Sequence, residues 1–110
     1  MDIELKENEA VIREMASDYW ETLLGLMISQ KRGRYWFTTH RIIFRGGFAT
    51  VVEIPYAEIA SIKKCCVGSL LLRFMPTGIK ITMKDGKKHY LSVLKRSEVM
   101  ELLQSKISSL

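Results

Sequence analysis

The stretch from Ile79 to Val93 leaves the chain little choice of local structure. Ile79, Ile81 and Met83 alternate with Lys80, Thr82 and Lys84. A period of two puts one set of side chains on one face, as in a half-buried strand. Asp85-Gly86 follows, a pair suited to the backbone of a tight hairpin turn. On the return, His89, Leu91 and Val93 share a face. The pattern predicts an antiparallel hairpin. His89, on its apolar face, reads as a partly buried structural residue and not a catalytic one.

Turn signals punctuate the middle of the chain at short intervals, the rhythm of an all-β domain. Lys31-Arg32-Gly33 precedes Tyr35-Trp36-Phe37-Thr38, and Thr39-His40 separates that run from Ile42-Ile43-Phe44. Gly46-Gly47 ends the latter before Val51-Val52-Glu53-Ile54. Pro55 has no N–H to give a ladder and stops that strand. Tyr56-Ala57-Glu58 reads as one turn before a strand over Ile59 to Cys66. At the other end, Val99, Leu102, Leu103, Ile107 and Leu110 form a stripe near helical spacing. A helix over 97–108 is expected, with Ser97 as N-cap and Glu98 in the first turn, where the dipole favours an anion. The N-terminal third has two readings. Ile12, Met15, Ala16, Tyr19, Trp20, Leu23, Leu24 and Met27 fit an amphipathic helix by spacing. The alternative is a long strand bent near Gly25, because tertiary context overrides local preference.

The 110 residues suffice for a single domain, 1–110, with its own core. The most apolar run, Leu23 to Ile28, is short and interrupted by Gly25, too little to span a bilayer. The acidic start does not resemble a signal peptide, so a cytoplasmic location is expected. Cys65 and Cys66 are neighbours, which a strand points to opposite faces; reduced thiols are expected. Neither His40 nor His89 stands at metal-ligand spacing from them. Glycine-rich phosphate loops, nucleophile elbows and His-Glu-x-x-His are absent, so neither catalysis nor a cofactor is expected.

Five pieces, in order along nearly the whole chain, resemble a GRAM-type domain of the pleckstrin-homology-like class. They are Leu5-Lys6-Glu7-Asn8-Glu9, Gly33 through Phe44, Ile54-Pro55-Tyr56-Ala57-Glu58-Ile59, Gly78-Ile79-Lys80-Ile81 with Lys84-Asp85-Gly86-Lys87, and Lys95-Arg96-Ser97-Glu98-Val99. Phe37 and Thr39-His40 depart from the residues common at those positions. The resemblance implies a mainly β barrel of about seven antiparallel strands in two near-orthogonal sheets, closed by the C-terminal helix. It reads the N-terminal third as strand. It also implies a lipid- or protein-binding role, an associational warrant only.

Charge gives that expectation candidate residues. Residues 1–30 carry a net of −5 and residues 31–110 a net of +10. In a meander of this kind, turns at 30–33, 46–49 and 85–88 share one rim. Lys31, Arg32, Arg34, Arg45, Lys87 and Lys88 would then converge on a phosphate or an anionic lipid headgroup, with peripheral attachment to a membrane surface. A competing reading takes the apolar connection at Leu70, Leu71, Leu72, Phe74 and Met75 as a surface for a protein partner or a second copy. Nucleic acid is disfavoured, because Tyr35 and Trp36 sit in an apolar run that suits core packing.

Overall fold

The computed structural model describes residues 3–23, 26–47, 49–68 and 75–110. The strands are β1 (Val11–Leu23), β2 (Leu26–Thr38), β3 (Arg41–Gly46), β4 (Thr50–Pro55), β5 (Ile59–Val67), β6 (Met75–Met83) and β7 (Lys88–Ser92). One helix, α1 (Arg96–Ser108), closes the chain. The antiparallel order β4-β3-β2-β1-β7-β6-β5 makes a single curled sheet. Three residue pairs, Asp18–Ser92, Tyr19–Leu91 and Trp20–Tyr90, join β1–β4 to β5–β7. The expected mainly β architecture of seven antiparallel strands with a C-terminal helix is therefore observed, as one curled half-barrel in which the two expected sheets are continuous through β1.

The alternations seen in the sequence point into one core. Tyr35 and Phe37 of β2, Ile42 and Phe44 of β3, Ile79 and Ile81 of β6 and Leu91 of β7 fill the concave side. Val99 and Leu103 of α1 pack into the same cluster, each fully buried, while Leu110 is exposed. The 3-10 turn at Tyr56–Glu58 lies where a turn was expected. Its Tyr56 hydroxyl donates to the Thr38 carbonyl at 2.8 Å. The late hairpin turns at Gly86 (φ +93°), with Lys87 N–H donating to Asp85 Oδ1.

One open reading is decided in favour of the strand, and two local expectations are corrected. The N-terminal third is strand and not helix. Its helix-like spacing arises because both faces of β1 are covered at one level. Tyr19 points into the main core, and Trp20 joins Met27, Val67 and Tyr90 in a second cluster on the convex side. The first correction is that residues 30–33 are not a turn but the middle of β2. Gly33 lies opposite Gly46, so close that a Cβ on Gly33 would overlap the Arg45 carbonyl and the Gly46 Cα. Such close backbone approach is a usual reason for glycine inside a strand. The second is that Ser97 is not the N-cap. Lys95 takes that position with left-handed φ +52°, and its carbonyl accepts from Glu98 and Val99 N–H. Arg96 fixes the earlier start by donating to the carbonyls of Cys65 and Gly78 at 3.2 and 3.4 Å.

Candidate anion-binding surface

Strand alternation decides which basic residues meet. Tyr35 and Phe37 point inward, so Arg32, Arg34 and Trp36 point to the convex face. On β3, Ile42 and Phe44 point inward, so Ile43 and Arg45 point outward. The register sets Arg34 opposite Arg45 and Trp36 opposite Ile43. Directly opposed side chains have Cβ atoms about 4.5–5.5 Å apart, and like charges there destabilise the ladder. Arg32, Arg34 and Arg45 are exposed, and among the described residues none makes an ion pair. Ala16, the β1 residue opposite Arg34, is small. It leaves an open groove of about 650 Å³ whose lining includes Trp36, Arg34 and Arg45. Trp36 itself is only 5% exposed, and its indole N–H has no partner among the described residues.

A second groove adjoins the first. The segment ahead of β1 crosses the convex face of β3 and β4 as a strap. Arg41 holds it. Its guanidinium donates from Nε to Glu9 Oε2 at 2.9 Å, from Nη2 to Glu9 Oε1 at 3.0 Å and from Nη2 to the Glu4 carbonyl at 2.9 Å. Arg41 also pairs with Glu53 of β4. Thr38 donates to Glu9 Oε2 at 2.6 Å and accepts from the Arg41 backbone N–H at 3.0 Å. The Arg41 guanidinium thus holds the buried Glu9 carboxyl down at about 2, against an ordinary 4.5. Between strap and sheet lies a groove of about 540 Å³, where Ile3 and Leu5 face Ile43 and Val51. Arg45 lines both grooves.

The other basic residues of the expected rim lie elsewhere. β1, β3 and β6 run in one direction, so the turns after β3 and after β6 do leave from the same edge of the sheet. Lys31, however, faces the concave side opposite Tyr19, beside Gly47, and pairs with Glu21 at 3.8 Å. Lys87 and Lys88 belong to the β6–β7 hairpin, with β1 between it and β2. The structure brings Arg32, Arg34 and Arg45 together and keeps Lys31, Lys87 and Lys88 apart from them. The motif reading missed Arg41 as the strap's anchor, together with Glu9, Ile3 and Leu5. Its only advance signal was an arginine leading a strand that an acidic segment could reach.

Leu70, Leu71, Leu72 and Phe74 lie outside the described residues. Met75 begins β6 opposite Val67 and is 37% exposed. His89 lies on the inward face, as its sequence position implied, with Nδ1 2.7 Å from the Tyr19 hydroxyl. Burial pulls its imidazole below the ordinary value and pushes the Tyr19 phenol up to about 12. Cys65 and Cys66 are not bridged to each other. Among the described residues no cluster of His, Cys, Asp or Glu has the geometry of a metal site, and no helix is long and apolar enough to cross a membrane.

No family model and no curated protein matches the chain. Its fold is similar to the crystal structure of the C-terminal domain of an unknown protein from Leishmania infantum, with a TM-score of 0.69 and 20% identity. That match covers 92% of this chain and 86% of the other. At this identity the likeness is one of fold: a curled seven-stranded sheet closed by a helix is an architecture that this chain shares with another natural domain.

Proposed function

We propose that the domain is a non-catalytic binding module that holds a phosphate-bearing ligand on the convex face of β2 and β3. One observation carries this reading: Arg34 and Arg45 oppose each other in register, exposed and without an ion pair among the described residues. Their mutual repulsion is relieved when an anion sits between them. A phosphate accepts from two guanidinium forks at once, through charge-assisted bonds that are shorter and stronger than neutral ones. Arg32, on the same face, adds to the field. The phosphate is either that of a soluble ester or that of a headgroup on an anionic membrane, and the two sources share this chemistry.

Calorimetric titration with glycerol 3-phosphate and with inositol phosphates at low salt tests the reading. Pelleting with vesicles with and without an anionic phospholipid separates the two sources. Binding is expected to weaken steeply as salt rises, since exposed charges are screened over a Debye length of roughly 8 Å at physiological ionic strength. The joint Arg34→Ala and Arg45→Ala variant is expected to lose binding while its melting temperature is retained. Binding that survives this double change overturns the site.

A further inference from the structure

We infer that the ligand is an anionic amphiphile with a single hydrocarbon chain: its phosphate lies between Arg34 and Arg45, and its chain runs under the N-terminal strap. This rests on the anion-site reading above and adds the nature of the rest of the ligand. The two grooves share Arg45 and meet over one cross-strand pair. Trp36 lines the cationic groove, Ile43 lines the strap groove, and the two are cross-strand partners on the same face. Both are almost wholly buried, at 5% and 4% exposure, and make an apolar floor from one groove to the other. Arg45 stands at the junction. Its register partner Val51, 52% exposed, is the start of the apolar wall on the β4 side. Ile3 and Leu5 close the opposite side.

Charge is distributed to match. Two acids line the strap groove, Glu4 and Glu53; Arg41 pairs with Glu53 and takes only the backbone carbonyl of Glu4. At one end Arg32, Arg34 and Arg45 face the convex side against Glu14 and Asp18 of β1, a net positive charge, and the apolar wall lies at the other. A groove of about 540 Å³ falls within the roughly 300–1,000 Å³ of small-molecule sites. A compact sugar phosphate would leave Val51 and Leu5 in water; a hydrocarbon chain covers them and gains from their burial.

The test compares octanoyl lysophosphatidic acid and octanoyl lysophosphatidylcholine, each below its micelle-forming concentration, with glycerol 3-phosphate and a phosphoserine peptide. Affinity is read by calorimetry and by tryptophan emission, which Trp36 makes sensitive to its groove. Lysophosphatidic acid is expected to bind about tenfold or more tightly than glycerol 3-phosphate, since each buried methylene contributes. The choline ester, whose phosphate charge is balanced, is expected to bind more weakly than the acid. Leu5→Ser and Val51→Ser replace exposed side chains, so the fold is kept. They are expected to shrink the chain-dependent gain to less than threefold and leave glycerol 3-phosphate unchanged. Equal affinity for the acid with and without its chain overturns the amphiphile and leaves the phosphate site standing. A chain-dependent gain that survives both serine variants moves the chain elsewhere and also overturns the inference. Failure of every phosphate to bind overturns both readings, and so does equal binding of the choline ester that is indifferent to the arginine double variant. Tighter binding of a phosphoserine peptide than of the lipid would reassign the groove to a protein partner and overturn the lipid inference.

Discussion

Glu9 is an acid whose side chain has no exposed surface, and Arg41 makes that tolerable. Removing one partner of a buried pair leaves an uncompensated charge, at a cost of about 3–5 kcal/mol. Arg41→Ala is therefore expected to lower unfolding stability by about that amount in urea titrations. The sign of the pH dependence follows from the direction of the shift. Glu9 titrates at about 2 in the fold against an ordinary 4.5, so its pairing contributes fully above 4.5 and is lost as pH falls from there toward 2. His89 acts in the same direction from a higher starting point. Its imidazole is held below the ordinary 6.5, so the fold favours the neutral ring. That preference gives stability in full above 6.5, and the stability falls as the pH drops below it. Urea midpoints measured from neutral pH downward should thus decline in two ranges. Glu9→Gln should flatten the lower and His89→Phe the upper. A Glu9→Gln variant with an unchanged acid slope would detach Glu9 from acid stability.

At the scale of the element, α1 sends two fully buried side chains into the core. Val99 and Leu103 are fully buried in the main core, whereas Leu102 and Ile107 are only partly covered. A carboxylate at either buried position has no partner and would ionise only at great cost. Val99→Asp and Leu103→Asp are each expected to lower the melting temperature strongly or prevent folding. A melting temperature close to wild type in both would mean that the helix does not hold the barrel. The β2–β3 pair has a different weak point. Gly33→Ala forces a Cβ into the backbone of β3, and overpacking of this kind costs about 1–3 kcal/mol. Because Arg34 and Arg45 are the next pair in register, the same change is expected to weaken phosphate binding as well as stability. Calorimetry on the folded variant checks the two effects separately.

At the scale of the whole molecule, the strand groups share more than their three-pair junction at β1 and β7. The main core takes Tyr35 and Phe44 from one group, Ile62, Ile79 and Leu91 from the other, and Val99 and Leu103 from the helix. Neither group has a separate core large enough to persist alone, so unfolding should be one cooperative transition. Tryptophan emission reports Trp20 and Trp36 on the convex side, and far-ultraviolet dichroism reports the sheet as a whole. The two signals are expected to give coincident midpoints in urea; separated midpoints would show that the halves unfold independently.

By itself the sequence determined the hairpin about Gly86, the breaks at Thr39-His40, Gly46-Gly47 and Pro55, and the helix that carries Val99 and Leu103. These are local choices: a period of two or near 3.6, and residues that favour or forbid a turn. It also assigned His89 correctly to the inward face, because that face follows from alternation with Leu91 and Val93. It did not decide β1, since Tyr19 and Trp20 are buried on opposite faces only once a second cluster covers Trp20. Nor did it decide the candidate site. Lys31, Arg32 and Arg34 are neighbours in sequence, yet one faces the core side and two face outward, and only the register of β2 on β3 brings Arg45 across from Arg34. The strap needed Glu9 and Arg41, 32 positions apart, to meet. Side-chain period is written along the chain; register, and contact between distant segments, exist only after the strands have paired and the sheet has curled.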